Sequence, residues 1–176
     1  DVVRTGCLVP GLNQLVGEKP HVTWLTHPDA VDLVERIPGI DRVVPFSGEA
    51  LLSLLAEQFS LVISLDKEAG PCSVAMKVRS ESRLGIGLSR YGTPYPINNE
   101  CDYYFRLGLD DDEKFHRNRK SMPQLIYEAL GMNYRGEAYA LQLTVEDMRD
   151  AARAFLNAAQ EEGQELQSLR VHKVLR

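Results

Sequence analysis

Hydrophobic and polar positions along this chain alternate between two rhythms. Over residues 2 to 16, Val3, Cys7, Leu8, Leu12, Leu15 and Val16 fall near helical spacing, which predicts a helix weakened where Pro10 and Gly11 interrupt it. His21-Val22-Thr23-Trp24-Leu25 is a short β-rich run between turn signals and predicts a strand. Pro28 then stands where a first helical residue belongs, and Ala30, Val31, Leu33 and Val34 continue that helix until Ile37-Pro38-Gly39 stops it. Arg42 to Phe46 reads as the next strand, Ser47 as the cap of a helix from Glu49 to Phe59, and Leu61 to Leu65 as a strand buried on both faces. A helix over Cys72 to Val78 and a short strand over Arg83 to Gly87 follow.

The second half is less regular. Ser89 to Asn99 is rich in turn residues. Asp110 to Glu113 place negative charge at the start of a long polar segment, whose apolar half, Leu125 to Leu130, predicts a helix that Gly131 ends. Tyr139 to Leu143 is expected as a strand. Thr144, with Glu146 and Asp147 behind it, opens a last helix toward Gly163. Val171 to Leu175 has strand composition but no place in the order. Alternating helix and strand predicts an α/β fold, a Rossmann-like parallel sheet flanked by helices. One leading strand is missing from the pattern, because a helix comes first. The expected organisation is one domain over 1–162 and a tail or linker over 163–176.

Composition narrows the function classes. The 176 residues suffice for one sizeable core, and 44% hydrophobic with 26% charged content is ordinary for a globular chain. A net charge of -5 argues against a general nucleic-acid binder. No apolar run reaches the roughly 18 residues of a membrane span. Three isolated cysteines, Cys7, Cys72 and Cys101, form no C-x-x-C pair and suit reduced thiols in a cytoplasmic setting.

Ligands of open parallel sheets bind beyond the carboxyl ends of the strands. That rule selects Thr26-His27, Asp66-Lys67-Glu68 and Leu88-Ser89-Arg90, and adds Asp1 if a strand precedes it. Asp1 could be a general base or the N-cap of the first helix. Lys67 could hold a phosphate or carboxylate, or pair with Asp66 or Glu68 on the surface. Arg117, Arg119 and Lys120 form a basic cluster that is either a substrate contact or a solvated face. His27 and His116 have no companion ligand at metal spacing, so no metal site is expected. Gly85 and Gly87 follow the strand pattern instead of opening a helix, which excludes a dinucleotide fingerprint. A nucleophile elbow is also absent from the sequence.

Asp1-Val2-Val3-Arg4-Thr5 followed by Leu8-Val9-Pro10-Gly11-Leu12 resembles the Gly-Asp-Val-x-x-Thr-x-x-x-Pro-x-Leu signature of the heptosyltransferase family, glycosyltransferase family nine. His21 to Thr26, Ile40 to Phe46, Leu61 to Asp66 and Arg83 to Gly87 resemble that family's successive strands, in the same order. The resemblance spans residues 1 to about 160. It implies the N-terminal, acceptor-binding half of a GT-B enzyme, which moves heptose from ADP-heptose to a lipopolysaccharide inner-core acceptor, inverting the anomeric centre without a metal or other cofactor. Asp1 carries over as the general base. Thr5 belongs to the same motif, while Lys67, Arg117, Arg119 and Lys120 are the positions offered for an anionic acceptor. The implied partners are a lipid-linked sugar acceptor and a nucleotide-sugar donor held by a C-terminal domain, with peripheral association at the inner membrane face. The sequence lacks the family's leading Gly and first strand, and Gln164 to Arg176 does not resemble its linker, so the 176 residues alone are expected not to turn over. The alternative reading is a standalone α/β module for a small anionic ligand.

Overall fold

A computed structural model describes residues 2–161 of the chain. Asp1, the 163–176 tail and the strand expected over Val171 to Leu175 lie outside the described residues. One compact unit reaches Leu141 and a second begins at Gln142.

The first unit is α/β. The opening helical stretch is split into α1 (Val2–Gly6), a 3-10 turn (Val9–Gly11) and α2 (Asn13–Val16). Pro10 has no N–H to continue an α-helical ladder, so the break falls where the sequence places it. β1 (Thr23–Thr26) leads through a 3-10 turn at Pro28–Ala30 into α3 (Val31–Val34) and β2 (Arg42–Pro45). The Ser47 hydroxyl accepts from the Ala50 N–H and caps α4 (Gly48–Ala56). β3 (Gln58–Ser64), α5 (Ala69–Lys77) and β4 (Arg79–Leu88) complete the crossover series.

Two parallel pairs result. Thr23 to Thr26 align with Arg42 to Pro45, and Gln58 to Ser64 align with Arg79 to Gly85. A short strand, β5 (Pro94–Pro96), adds antiparallel to β4 through Ile86–Pro96 and Leu88–Pro94. Its two prolines are tolerable because it is an edge strand. The pairs are not joined by strand hydrogen bonds, so the sheet falls into β1-β2 and β3-β4-β5.

Helices cover both faces of the β3 pair. Val62 packs with Leu25, Val44, Leu54 and Val74 in the cluster under α4 and α5. The next residue, Ile63, packs on the opposite side against Cys7, Leu8, Ile126 and Tyr127. Alternation along one strand thus feeds two helix layers. The expectation that Leu61 to Leu65 is fully buried needs correction. Leu61, Val62 and Ile63 are half-buried, because β3 has a strand on one side only.

Several expected boundaries shift. β4 is ten residues long instead of five, and Phe59 belongs to β3 and not to α4. α6 (Cys101–Arg106) follows the turn-rich stretch, and the polar segment after it supplies a π-helical turn (Glu113–Arg117) before α7 (Met122–Ala129). The strand expected at Tyr139 to Leu143 does not form. Tyr139 is 47% exposed and Leu143 56%, and among the described residues no strand pairs with that segment. In the second unit, α8 (Val145–Glu161) carries the expected N-terminal box. The Thr144 hydroxyl accepts from the Asp147 N–H at 3.1 Å while the Asp147 carboxylate accepts from the Thr144 N–H at 2.7 Å.

Gly85 marks the closest approach within the sheet. It has φ +98°, and a Cβ there would collide with the Ser64 carbonyl oxygen. Its N–H donates to Asn98 Oδ1 at 2.7 Å, and Asn98 Nδ2 donates to the Ala129 carbonyl at 2.8 Å, tying β4 to the end of α7. Arg83 donates to the carbonyls of Ala75 and Val78, placing a cation at the C-terminus of α5.

Candidate functional site

The carboxyl ends of β1 and β3 carry the two buried polar residues of the described chain, Thr26 and Ser64. Ser64 Oγ has no hydrogen-bond partner among the described residues. A buried hydroxyl without a partner costs free energy, so polar groups at this end of the sheet mark a place to look for chemistry.

Lys67 emerges three residues after β3. Its ammonium lies 5.7 Å from the ring centre of Tyr104 and 5.9 Å from that of Phe105, both on α6. It also lies against Gly108, where a Cβ would occupy the position of the nitrogen. The surface pairing considered for Lys67 with Asp66 or Glu68 is not formed. The Asp66 carboxylate instead accepts from the Glu68 N–H at 2.8 Å, an Asx turn that sends the side chain away. Burial and then the nearby Lys114 charge depress the Lys67 pKa, while Cys101 pulls it slightly back. The Tyr104 hydroxyl is pushed up, chiefly by burial, and feels Cys101, Asp66 and Arg4 in turn. α1 and the carboxyl end of β3 therefore act on one phenol.

The other sequence candidates do not converge here. Arg117 pairs with Asp112 at 2.8 Å, both exposed. Lys120 pairs with Glu128 and lies 5.1 Å from the Tyr103 ring centre. Two of the three basic residues are thus engaged within the fold, and Arg119 is exposed. Thr5 is half-buried in α1, with its carbonyl accepting from the Leu8 N–H at 2.9 Å. Asp1 lies outside the described residues. His27 Nδ1 accepts from the Asp29 N–H and caps the turn after β1. Among the described residues no three His, Cys, Asp or Glu side chains are grouped to hold a metal, and no helix is long and apolar enough to cross a membrane.

Sequence reasoning missed Tyr104, Phe105, Gly108 and Lys114. The signal available was the aromatic run Tyr103-Tyr104-Phe105, which reads as core or strand until α6 is known. A second feature lies at the opposite end of the strands. A cavity of about 350 Å³ is bounded by Lys19, His21, Thr23, Arg42, Glu57 and Phe59, drawn from both parallel pairs. Arg42 and Glu57 bridge the pairs there with two hydrogen bonds of 2.9 and 3.0 Å. No protein-family model, no curated protein and no solved structure matches the chain.

Proposed function

We propose that the chain is the acceptor-binding half of an inverting glycosyltransferase of the heptosyltransferase type, built on a doubly wound sheet whose central strand comes from residues ahead of Asp1. The observation that carries this reading is the division of the sheet. β1 and β3 run parallel to their partners, share a core through Leu25 and Val62, and leave unpaired edges with no strand hydrogen bonds between them. Two unpaired edges in one sheet are costly unless something covers them. A parallel strand between them would give the order β2-β1-new-β3-β4, the arrangement of a nucleotide-sugar fold with its crevice at the central strand. It would also end beside α1, whose Arg4 acts on the same Tyr104 hydroxyl as Asp66.

In this reading Asp1 follows that strand directly and accepts the proton of an acceptor hydroxyl. The hydroxyl oxygen bonds to the anomeric carbon as the bond to the nucleotide diphosphate breaks, with inversion. Placement within hydrogen-bond reach of the hydroxyl matters more for such a base than its intrinsic pKa. Lys67 supplies positive charge for an anionic acceptor, and the nucleotide sugar belongs to a second domain. ADP-heptose is the donor and an inner-core lipopolysaccharide sugar the acceptor, at the cytoplasmic membrane face. The test is sugar transfer by a polypeptide that also carries the donor domain. Asp1→Ala should lower turnover by roughly 10²–10⁴-fold while ADP-sugar binding is kept; near-normal turnover would remove the base assignment.

The alternative of a small-anion module is favoured by the same Lys67, whose ammonium has no carboxylate partner among the described residues. Saturable anion binding by a chain that never supports sugar transfer, whatever domain it is joined to, would select it.

A further inference from the structure

The two parallel pairs face each other across a gap one strand wide. Neighbouring strands lie about 4.8 Å apart, and strands with one between them about 10 Å. The Cα atoms of β1 and β3 stay more than 8 Å apart over most of their length. The free edge of β1 points into this gap. Val22 and Thr26 turn their carbonyls to β2, accepting from the Arg42 and Phe46 N–H groups at 3.0 and 2.7 Å. Alternate residues of a strand present their backbone groups to opposite sides, so Thr23 and Leu25 present theirs to the gap. Among the described residues β3 pairs only with β4, which leaves its other edge facing the same space.

Apolar layers cover the gap on both faces. Leu25 and Val62 pack into the cluster of Val44, Leu54 and Val78, and Ile63 packs into that of Cys7, Leu8 and Ile126 on the other face. At its amino end the gap opens into the cavity of about 350 Å³ bounded by Thr23, Arg42, Phe59 and Ser60. Among the described residues, the only buried side-chain polar atoms without a hydrogen-bond partner are Arg42 Nε and Ser64 Oγ. They stand at opposite ends of this gap, beside the start of β1 and at the end of β3. Buried polar atoms of folded chains are nearly all paired, and backbone groups entering and leaving the gap would supply an acceptor for Nε and a partner for Oγ.

We infer that this gap is a strand-binding slot that an extended peptide enters in trans, parallel to β1 and β3 and paired with both. Its occupant is apolar at successive positions, because both of its faces are covered. It is about five residues long, an ordinary strand length that spans β1 and most of β3. Main-chain hydrogen bonds to two edges supply the affinity, and the two apolar layers select the side chains. The inference rests on the same gap as the transferase reading and on none of its chemistry.

The test uses the 176-residue chain and a fluorescent peptide of about five valine and isoleucine residues, kept soluble by lysines ahead of them. Anisotropy should show saturable one-to-one binding. Amide hydrogen exchange should show Thr23–Thr26 and Gln58–Ser64 gaining protection together. The same peptide N-methylated at alternate residues cannot ladder on one of its edges and should bind at least about tenfold more weakly. Absence of binding, equal binding of the methylated peptide, or protection at β2 or β5 in place of β1 and β3 would overturn the proposal. So would a dimer of the chain that protects both edges without peptide. Ladder-dependent peptide binding by a chain that never supports sugar transfer would leave the slot standing and remove the transferase. A working transferase whose 176-residue part binds no such peptide would do the reverse.

Discussion

Tyr127→Phe is the sharpest probe of how the N-terminal segment is held on the sheet. Tyr127 is fully buried on α7, and its hydroxyl donates to the Cys7 carbonyl at 2.8 Å, joining residues 120 positions apart. Phenylalanine keeps the ring and its edge-on contact with Tyr134, 5.5 Å between centres and 67° between planes. Only the hydroxyl is lost, so the cost is that of leaving a buried carbonyl unpaired, about 1–3 kcal/mol. For a chain of this size each kcal/mol moves the melting temperature by about 2–4 °C. Urea unfolding should show a lower midpoint with an unchanged slope. Tyr134→Phe is the internal control: its hydroxyl reaches the Glu137 carbonyl only at 3.5 Å, so the effect should be several-fold smaller. A Tyr127→Phe midpoint equal to that of the parent would refute the argument that this bond fastens α7 to the opening segment.

Gly85→Ala should cost more than about 2 kcal/mol, because it combines a left-handed φ with a backbone collision that no rotamer relieves; a chain that melts as the parent does would show the collision to be absent. The thiols give a pH prediction. Burial, reinforced by the Glu137 charge, pushes Cys7 from 9.0 up to about 11, and burial does the same for Cys101 against the opposing charge of Lys67. The folded chain therefore keeps protons that the unfolded chain releases. That contribution to stability is present in full below the unfolded pKa of 9.0 and is lost as pH rises through about 11. Unfolding midpoints measured across that window should fall. All three buried cysteines should resist a thiol reagent until the chain unfolds, and rapid labelling of the native protein would contradict their burial.

What the sequence disclosed followed from local physics. Thr23 to Thr26 and Arg42 to Pro45 are β-rich runs between turn residues, Ser47 is a recognisable cap, and Thr144 with Asp147 is a box readable at sight. What it concealed depended on partners far along the chain. Tyr139 to Leu143 has strand composition, yet a strand exists only where another offers a ladder, and none does among the described residues. α6 is opened by Cys101 directly after turn residues and is dense in aromatics, so its helical period is masked. The site shows the same limit. Lys67 was readable as a cation after a central strand, but its choice of Tyr104, Phe105 and Gly108 over Asp66 and Glu68 depends on the placement of α6. Arg117 and Lys120 looked like a patch because Asp112 and Glu128 stand at spacings from which no pairing could be read.

The transferase reading depends on a strand between β1 and β3, and amide hydrogen exchange tests that most directly. The 176-residue chain is compared with one that carries whatever its open reading frame supplies ahead of Asp1. The account predicts that amides of Thr23–Thr26 and Gln58–Ser64 gain protection together in the longer chain, while those of β2 and β5 change little. Unchanged exchange in β1 and β3 would contradict it.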